Sequence, residues 1–200
     1  MTRTLRKVCV YCASSKIADP AYRDQARELG GRLAQEGIEV VYGGGAVGSM
    51  GALADGALAE GGRVTGILPR FMEDLEWGHN GLTRLEIVNS MHERKHAMLA
   101  EADGVVALPG GCGTFEELLE AITWKRLGIF CEPIVLMNTK GFYDRLVGAL
   151  ELCVEERFMD QRHLGMWTVV PDAEGVIPAL RNAPEWDDQA RGFAVPGRGE

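Results

Sequence analysis

Short apolar runs alternate with longer amphipathic segments along most of the chain. The apolar runs are continuous, as expected of strands buried on both faces, and include residues 8–14 ("VCVYCAS"), 39–45 ("EVVYGGG") and 104–111 ("GVVALPGG"). The segments between them space apolar residues three or four apart, as in residues 20–37, which predicts helices. Strands that alternate with helices form parallel sheets covered on both faces. The pattern therefore predicts an α/β fold, a doubly wound parallel β-sheet with helices on both faces.

The alternation ends before the chain does. A last predicted helix, "DAEGVIPALRN" (172–182), is followed from Pro184 onward by "PEWDDQARGFAVPGRGE", which has neither strand nor helical spacing. No internal repeat or low-complexity block divides the rest of the sequence. We therefore predict a single domain over residues 1–184 and a flexible tail over residues 185–200.

Composition narrows the class of function. Over 200 residues the formal net charge is −8, which argues against binding to nucleic acid or to a membrane surface. No apolar run reaches the roughly 18 residues of a membrane span, and the N-terminus lacks the apolar stretch of a signal peptide. Five cysteines leave at least one unpaired under any disulfide scheme, so we expect reduced thiols. Together these features predict a cytoplasmic protein.

A first glycine-rich loop follows the second predicted strand. "YGGGAVGSMG" has the spacing Gly43-x-Gly45-x-x-Gly48 between a strand and a helix, where backbone amides can meet a phosphate. The next strand ends in "GILPR" (66–70), without the acidic residue that would bind the ribose of NAD, so a dinucleotide is not expected. Two interpretations remain open: a mononucleotide phosphate or sugar site, or glycines that allow tight turning and close helix packing.

A second glycine-rich loop, "LPGGCGTFEEL" (108–118), combines glycines with carboxylates. Thr114 occupies a predicted helix N-cap and Glu117 follows three residues later, which is the spacing of a capping box with a purely structural role. The alternative is functional, because the loop follows a strand and a helix N-terminus keeps a nearby carboxylate ionised. An ionised carboxylate stabilises positive charge that develops in a transition state.

A third motif, "MHERKHAM" (91–98), follows another predicted strand. His92 and His96 match the H-E-x-x-H pattern of zinc proteases, but alternating strands and helices are not the context of that motif, so we expect no metal. Arg94 and Lys95 lie at the start of the helix, where cations could meet a phosphate or a leaving group, or form a solvated basic face. Charges of both signs thus meet at one edge of the sheet.

In this order and spacing, "VYGGGAVGSMG", "SMHERKHAM" and "LPGGCGTFEELLEAITWKRLG" resemble the LONELY GUY family of cytokinin riboside 5′-monophosphate phosphoribohydrolases, over roughly residues 6–160. Members were often mislabelled lysine decarboxylases. The resemblance implies a homodimer of Rossmann-like α/β fold without a metal or organic cofactor. It also implies hydrolysis of N6-modified adenosine monophosphates, and often of AMP, to free base and ribose 5-phosphate. Related nucleotide-binding and molybdenum-cofactor carrier proteins share the pattern, so a non-catalytic carrier is the alternative.

The resemblance assigns roles through the matching motifs. The arginine of MHxRK is Arg94 and the glutamate that closes PGGxGTxxE is Glu117, and these two form the implied catalytic pair. The implied substrate contacts are Gly44, Gly45, Glu76, Met91, Lys95, Gly110, Gly111, Cys112, Gly113, Thr114, Phe115, Glu116 and Thr123. Ser49 stands where the family has leucine or a similar residue, a departure that spares the glycines.

The same assignment explains why carboxylates follow a glycine-rich loop. Glycine amides and Thr114 would hold the 5′-phosphate at the helix end, while Glu117 would face the ribose. N-glycosidic cleavage passes through an oxocarbenium-like sugar, so Glu117 would stabilise that cation or orient the attacking water as a general base. Arg94 would stabilise charge on the departing purine or orient the sugar phosphate, since an arginine stays protonated and is a poor proton donor.

Overall fold

The computed structural model describes residues 3–73 and 78–196, and within these ranges all strands belong to one sheet. The strands are β1 (Lys7–Tyr11), β2 (Glu39–Tyr42), β3 (Val64–Pro69), β4 (Arg84–Val88), β5 (Val105–Ala107), β6 (Ile134–Met137) and β7 (Trp167–Val170). Their order across the sheet is β4-β3-β2-β1-β5-β6-β7, and every neighbouring pair is parallel. The predicted doubly wound parallel sheet is confirmed.

Helices fill the connections between the strands. The α-helices are α1 (Pro20–Gln35), α2 (Gly48–Ala59), α3 (Met91–Leu99), α4 (Cys112–Arg126), α5 (Asp144–Glu155) and α6 (Val176–Asn182). Short 3-10 helices span Arg70–Met72, Thr139–Gly141, Gln161–Met166 and Asp188–Gly192. Within the described part of the chain, no helix combines the length and the apolar character needed to cross a bilayer.

The helices cover both faces of the sheet, as the continuous apolar strands predict. Alternate residues of a strand point to opposite faces, and β1 divides its side chains between two hydrophobic cores in this way. Val10 packs in one core with Leu53 of α2, and Tyr11 packs in the other with Leu118 of α4. Because both faces of β1 are buried, successive β1 residues that enter the two cores must all be apolar.

The strand order creates a crevice beside β1. The chain moves outward from β1 to β4 on one side and then returns to place β5 on the other side of β1. The segments that follow β1 and β5 therefore leave the sheet in different directions, and a ligand can enter between them. Both glycine-rich loops and the start of α3 lie at this carboxyl-terminal edge of the sheet.

The start of α4 differs from the prediction. The helix begins at Cys112 with Gly111 as its N-cap and with no side-chain cap, and the amide of Phe115 donates to the Gly111 carbonyl at 3.0 Å. The predicted capping box of Thr114 and Glu117 is therefore wrong, because both residues lie inside the helix. Gly111 starts the helical hydrogen bonds early, which releases the Glu117 side chain from any capping role.

Residues after Pro184 contact the C-terminal end of α4. The indole Nε1 of Trp186 donates to the Lys125 carbonyl at 2.8 Å, and the Arg191 guanidinium donates to the Leu127 and Gly128 carbonyls at 3.2 Å each. These bonds satisfy carbonyl groups at the end of the helix. The flexible tail over residues 185–200 stays a prediction, as do the domain bounds.

Candidate active site

A cavity of about 380 Å³ occupies the crevice at the carboxyl-terminal edge of the sheet. It is enclosed by the segment after β1, by α2, by the 3-10 helix after β3, and by the first turns of α3 and α4. Its lining residues are Cys12, Ala13, Ser14, Ser15, Met50, Met72, Met91, Arg94, Gly111, Gly113, Thr114 and Glu117. The cavity therefore combines apolar side chains with one buried cation, one buried carboxylate and a glycine-rich turn.

Arg94 is buried although it is charged, with 3% of its surface exposed. Its Nε donates to the Ile67 carbonyl at 3.1 Å and its Nη2 donates to the Gly43 carbonyl at 3.0 Å. These carbonyls lie in β3 and directly after β2, so two neighbouring strands hold the guanidinium in place. The third nitrogen, Nη1, lies 3.9 Å from Oε1 of Glu117.

Glu117 projects from the second turn of α4 toward Arg94 and is also buried, with 5% of its surface exposed. A buried carboxylate needs a charge partner, and removal of either member of such a pair leaves an uncompensated buried charge. Burial raises the pKa of the Cys9 thiol, and the Glu117 charge raises it further. Burial, Cys9 and Glu117 raise the pKa of Tyr11 in the same way. Cys9 and Tyr11 thus stay neutral beneath the charged pair.

The second glycine-rich loop presents open space at the N-terminus of α4. A Cβ atom built on Gly111 or on Gly113 would meet no protein atom within 4 Å, and neither glycine has a left-handed backbone. Nothing in the surrounding protein therefore requires glycine at these positions. Exposed amides at the start of a helix of this length favour an anion, and the missing side chains let one approach.

Gly110 has a different role in the same loop. A Cβ atom at this position would lie 2.1 Å from the Thr114 hydroxyl oxygen, so Gly110 allows Thr114 to pack beneath the turn. Thr114 is 4% exposed and is one of the residues that line the cavity. The turn is therefore held from below by Thr114 and open above Gly111 and Gly113.

Six of the predicted site residues line the cavity together: Met91, Arg94, Gly111, Gly113, Thr114 and Glu117. Cys112 is exposed in the same turn. Glu76 lies outside the described residues. The roles assigned to all of these residues stay predictions.

The other predicted contacts among the described residues are not part of the cavity wall. Gly44 and Gly45 are buried in the first loop. Phe115 stacks on Phe142, with ring centroids 5.9 Å apart. The Thr123 hydroxyl donates to the Leu119 carbonyl of its own helix at 2.7 Å.

Lys95 is held by carboxylates of α4. Its Nζ forms ion pairs with Glu116 and, at 3.1 Å, with Glu120. Partial burial alone would lower the pKa of Lys95, but the bonds to these two carboxylates outweigh it and raise the pKa. The pairs tie α3 to α4 next to the site, and they balance the lysine charge.

Sequence reasoning missed half of the cavity wall. Cys12, Ala13, Ser14 and Ser15 follow β1, and Met50 and Met72 approach from α2 and from the 3-10 helix after β3. The residues after β1 could have been found, because β1 is the central strand at the reversal of strand order and ligands bind there. Met72 carries no motif, since only the folding of the chain after β3 brings it near Arg94.

The H-E-x-x-H match in α3 forms no metal cluster with other described residues. His92 and His96 are both exposed, and the His96 ring contacts Trp124 edge-on with centroids 6.2 Å apart. Over residues 3–73 and 78–196, no group of three His, Cys, Asp or Glu side chains is arranged to hold a metal ion. Arg94, between the two histidines in sequence, points instead into the cavity.

Comparison with known proteins gives the family to which the chain is similar. The chain matches the family described as "Possible lysine decarboxylase" over residues 50–180. It is 41% identical over 192 residues to the cytokinin riboside 5′-monophosphate phosphoribohydrolase LOG of Oryza sativa subsp. japonica, covering 92% of this chain and 79% of that protein. It is 40% identical over 185 residues to LOG2 of Arabidopsis thaliana, a protein of the same description, covering 92% of this chain and 86% of that protein.

A comparison of structures gives the fold. The molybdenum cofactor carrier protein from Chlamydomonas reinhardtii matches with a TM-score of 0.69 at 21% sequence identity, over 90% of this chain and 98% of that chain. At this level of identity the two proteins share an architecture.

Proposed function

Because the chain belongs to the LONELY GUY family of cytokinin riboside 5′-monophosphate phosphoribohydrolases, we propose that it hydrolyses the N-glycosidic bond of N6-modified adenosine 5′-monophosphates, and of AMP. The products are the free base and ribose 5-phosphate. The observation that carries this proposal is the buried pair of Arg94 and Glu117, 3.9 Å apart in the wall of a cavity next to an open helix N-terminus.

The phosphate end of the substrate binds at the start of α4. Gly111 and Gly113 are exposed, and the space next to their Cα atoms is open to a ligand. The helix N-terminus attracts an anion, and Thr114 supplies a hydroxyl at the cavity wall. Because Glu117 is one helical turn beyond Thr114, a phosphate held in the loop places the attached ribose next to the carboxylate.

The reaction uses the two buried charges in complementary ways. As the bond between C1′ and the purine nitrogen breaks, its electron pair stays on the base and positive charge develops on the ribose. Glu117 stabilises that charge and accepts a proton from the water whose oxygen bonds to C1′. Arg94 stabilises the negative charge on the departing purine, which takes up a proton from solvent to leave as the neutral base, while Glu117 returns the proton of the attacking water to solvent.

Lys95 and Lys140 are both ion-paired with carboxylates, which favours hydrolysis over decarboxylation through a lysine imine. Lys95 is paired with Glu116 and Glu120, and a hydrogen bond and the charge of Asp19 raise the pKa of Lys140, which keeps both amines protonated. Lys125 differs, because burial lowers its pKa to about 8. However, Lys125 is at the opposite end of α4 from the cavity, with its Nζ on the Glu132 carbonyl at 2.6 Å.

We also propose a cytoplasmic homodimer that binds no nucleic acid. Leu119, Leu127 and Ile129, on α4 and directly after it, are exposed apolar side chains that a second copy could cover. The net charge of −8 disfavours nucleic acid. Light scattering in solution tests the assembly, with a mass near twice 21.8 kDa as the expected result.

The function is tested by comparing wild type with Glu117→Gln on isopentenyladenosine monophosphate and on AMP, with chromatography of the released base. We expect wild type to release base and the variant to lose about a hundredfold or more in kcat, because glutamine carries no charge to stabilise the ribosyl cation. The control is Glu39→Gln, which removes a carboxylate of 18% exposure that pairs with Arg63 at 3.4 Å at the opposite edge of the sheet. This control should leave kcat unchanged.

Three results would contradict the proposal. Equal kcat in Glu117→Gln and wild type would remove Glu117 from the reaction. A similar loss in Glu39→Gln would show that any lost ion pair reduces activity through stability, so melting curves of all proteins accompany the assay. Binding of both nucleotides by wild type without base release would favour a carrier of the same fold.

A further inference from the structure

The first glycine-rich loop lies directly against the Arg94 guanidinium. The Gly43 carbonyl accepts the Nη2 hydrogen bond at 3.0 Å. A Cβ atom built on Gly43 would lie 2.2 Å from that same Nη2 and 3.3 Å from Cζ of Arg94. Real Cβ atoms do not approach other atoms so closely, so any side chain at this position displaces the guanidinium.

The requirement for glycine at position 43 is steric, because its backbone is ordinary. Gly43 is not among the glycines with positive φ, whereas Gly44 beside it has φ +83°. Alanine at position 43 therefore costs no backbone strain. Apart from Arg94, the nearest atom to the added Cβ is the terminal Cε of Met50, at 3.1 Å, on a flexible side chain that can move aside.

The contact also fixes which edge of the guanidinium reaches the cavity. Nε is bound to the Ile67 carbonyl at 3.1 Å and Nη2 to Gly43, so the remaining Nη1 is the nitrogen that lies 3.9 Å from Glu117. The planar guanidinium has a fixed fork of donors, and two occupied positions determine the direction of the third. A shift of Nη2 by an added methyl group therefore moves Nη1 as well.

We propose that Gly43 is a positioning residue. As the first glycine of the loop after β2, it binds the Arg94 guanidinium closely and fixes the position of that group relative to Glu117. This role in catalysis rests on the proposed function. Under this proposal Gly43 does not contact the substrate, because Arg94 occupies the Gly43 carbonyl and the space next to the Gly43 Cα.

The first test is the kinetics of Gly43→Ala. We expect kcat to fall about a hundredfold, since a displacement of a catalytic group by about 1 Å has an effect of that size. KM for the nucleotide should change less than about threefold, because the phosphate loop is on α4 and not on the altered segment. The control is Gly31→Ala, where the added Cβ meets its nearest atom at an ordinary 3.6 Å and activity should be unchanged.

The second test does not depend on activity. Thermal melting is measured for wild type, Gly43→Ala, Arg94→Ala and the double variant. If Gly43 acts through the guanidinium, Gly43→Ala lowers the melting temperature when Arg94 is present and has little effect when Arg94 is alanine. A purely structural glycine would produce the same decrease in both backgrounds.

The outcomes are distinct. Wild-type kcat in Gly43→Ala, or an equal decrease in melting temperature in both backgrounds, overturns the proposal. The effect of Gly43→Ala on the melting temperature could depend on Arg94 while wild type releases no base. This result would support the positioning of Arg94 by Gly43 and reject the proposed hydrolysis. If the effect of Gly43→Ala on the melting temperature depends on Arg94, and the variant loses kcat with little change in KM, both the positioning role and the proposed hydrolysis are supported.

Discussion

The two glycine-rich loops are similar in sequence and differ in what their glycines face. In the first loop and the helix that follows it, a Cβ atom would lie 2.2 Å from a protein atom at Gly43, 2.5 Å at Gly48 and 2.2 Å at Gly51. In the second loop, Gly111 and Gly113 have nothing within 4 Å. Glycine in the first loop is thus required by the protein itself. In the second loop, Gly110 is likewise required by the packing of Thr114, whereas Gly111 and Gly113 leave space for a ligand.

This difference separates stability from binding. Gly48, with φ +65°, brings the start of α2 against the backbone of Ala13, Ser14 and Ser15, which is the part of the cavity wall that follows β1. The first loop thus shapes the site from behind, through close packing. The second loop acts at the surface of the cavity, where a ligand meets backbone amides.

The largest effect is expected for Gly48→Ala, measured as the free energy of unfolding in denaturant. Alanine there combines a left-handed backbone with a clash against backbone atoms, and we expect a loss of about 3 kcal/mol. The matched control is Gly61→Ala, which has φ +70° but nothing within 4 Å of its Cβ, and which should lose only about 1 kcal/mol. Equal losses in the two variants would mean that backbone conformation, rather than packing, explains the glycine.

Local patterns in the sequence predicted the fold because the central strands are apolar on both faces. Val10 and Tyr11 enter different cores, so the run that contains them shows no alternation, and the sequence-based prediction of a parallel sheet depends on that feature. The glycines of the first loop had two interpretations, a ligand site or close packing, and nothing in the sequence favours packing over a ligand site. The partner of Gly43 is Arg94, 51 residues away.

Other parts of the site were beyond prediction for physical reasons. The helix α4 starts at Cys112, and a helix start that uses a glycine N-cap has no side-chain signal, so the sequence suggested Thr114 instead. Met72 reaches Arg94 only through the path of the chain after β3. Sequence motifs therefore located the charged pair and the open loop, while the apolar residues of the cavity wall could be identified only from the folded structure.

The next effect is expected for Gly113→Ala, which should change stability and binding in opposite directions. Gly113 is helical, exposed and without neighbours at its Cβ, so alanine should stabilise the free protein by about 0.5 to 1 kcal/mol. The added methyl group occupies the space that we assign to the phosphate, and we expect KM for the nucleotide to rise about tenfold, or about 1.4 kcal/mol. Melting curves and steady-state kinetics measure the two effects on one preparation.

Gly148→Ala is the matched control for Gly113→Ala, since Gly148 is also helical with nothing near its Cβ but belongs to α5. It should give the same stabilisation without a change in KM. If Gly113→Ala is stabilised and binds nucleotide as wild type does, the open space is not a phosphate site. The difference between the two loops would then be one of exposure alone.

The smallest effect concerns what keeps the second loop in place. The buried Tyr143 hydroxyl donates to the Leu108 carbonyl at 2.7 Å, just before the turn, while its ring meets Phe142 and Phe115 edge-on. Tyr143→Phe keeps the ring and leaves that carbonyl without its donor, at a cost of about 1 kcal/mol. For a chain of this size the melting temperature should fall by about 2 to 4 °C.

The same variant tests whether the open loop must be held rigidly to bind. A turn that loses its bond to Tyr143 samples more conformations, so the nucleotide must order it, and we expect KM to rise about threefold with kcat unchanged. The control is Tyr22→Phe. The Tyr22 ring belongs to the same aromatic cluster and contacts the Phe142 ring, with centroids 6.1 Å apart. A decrease in melting temperature without a change in KM would mean that the amides of the turn are ordered by α4 alone, and that Tyr143 belongs to the core rather than to the site.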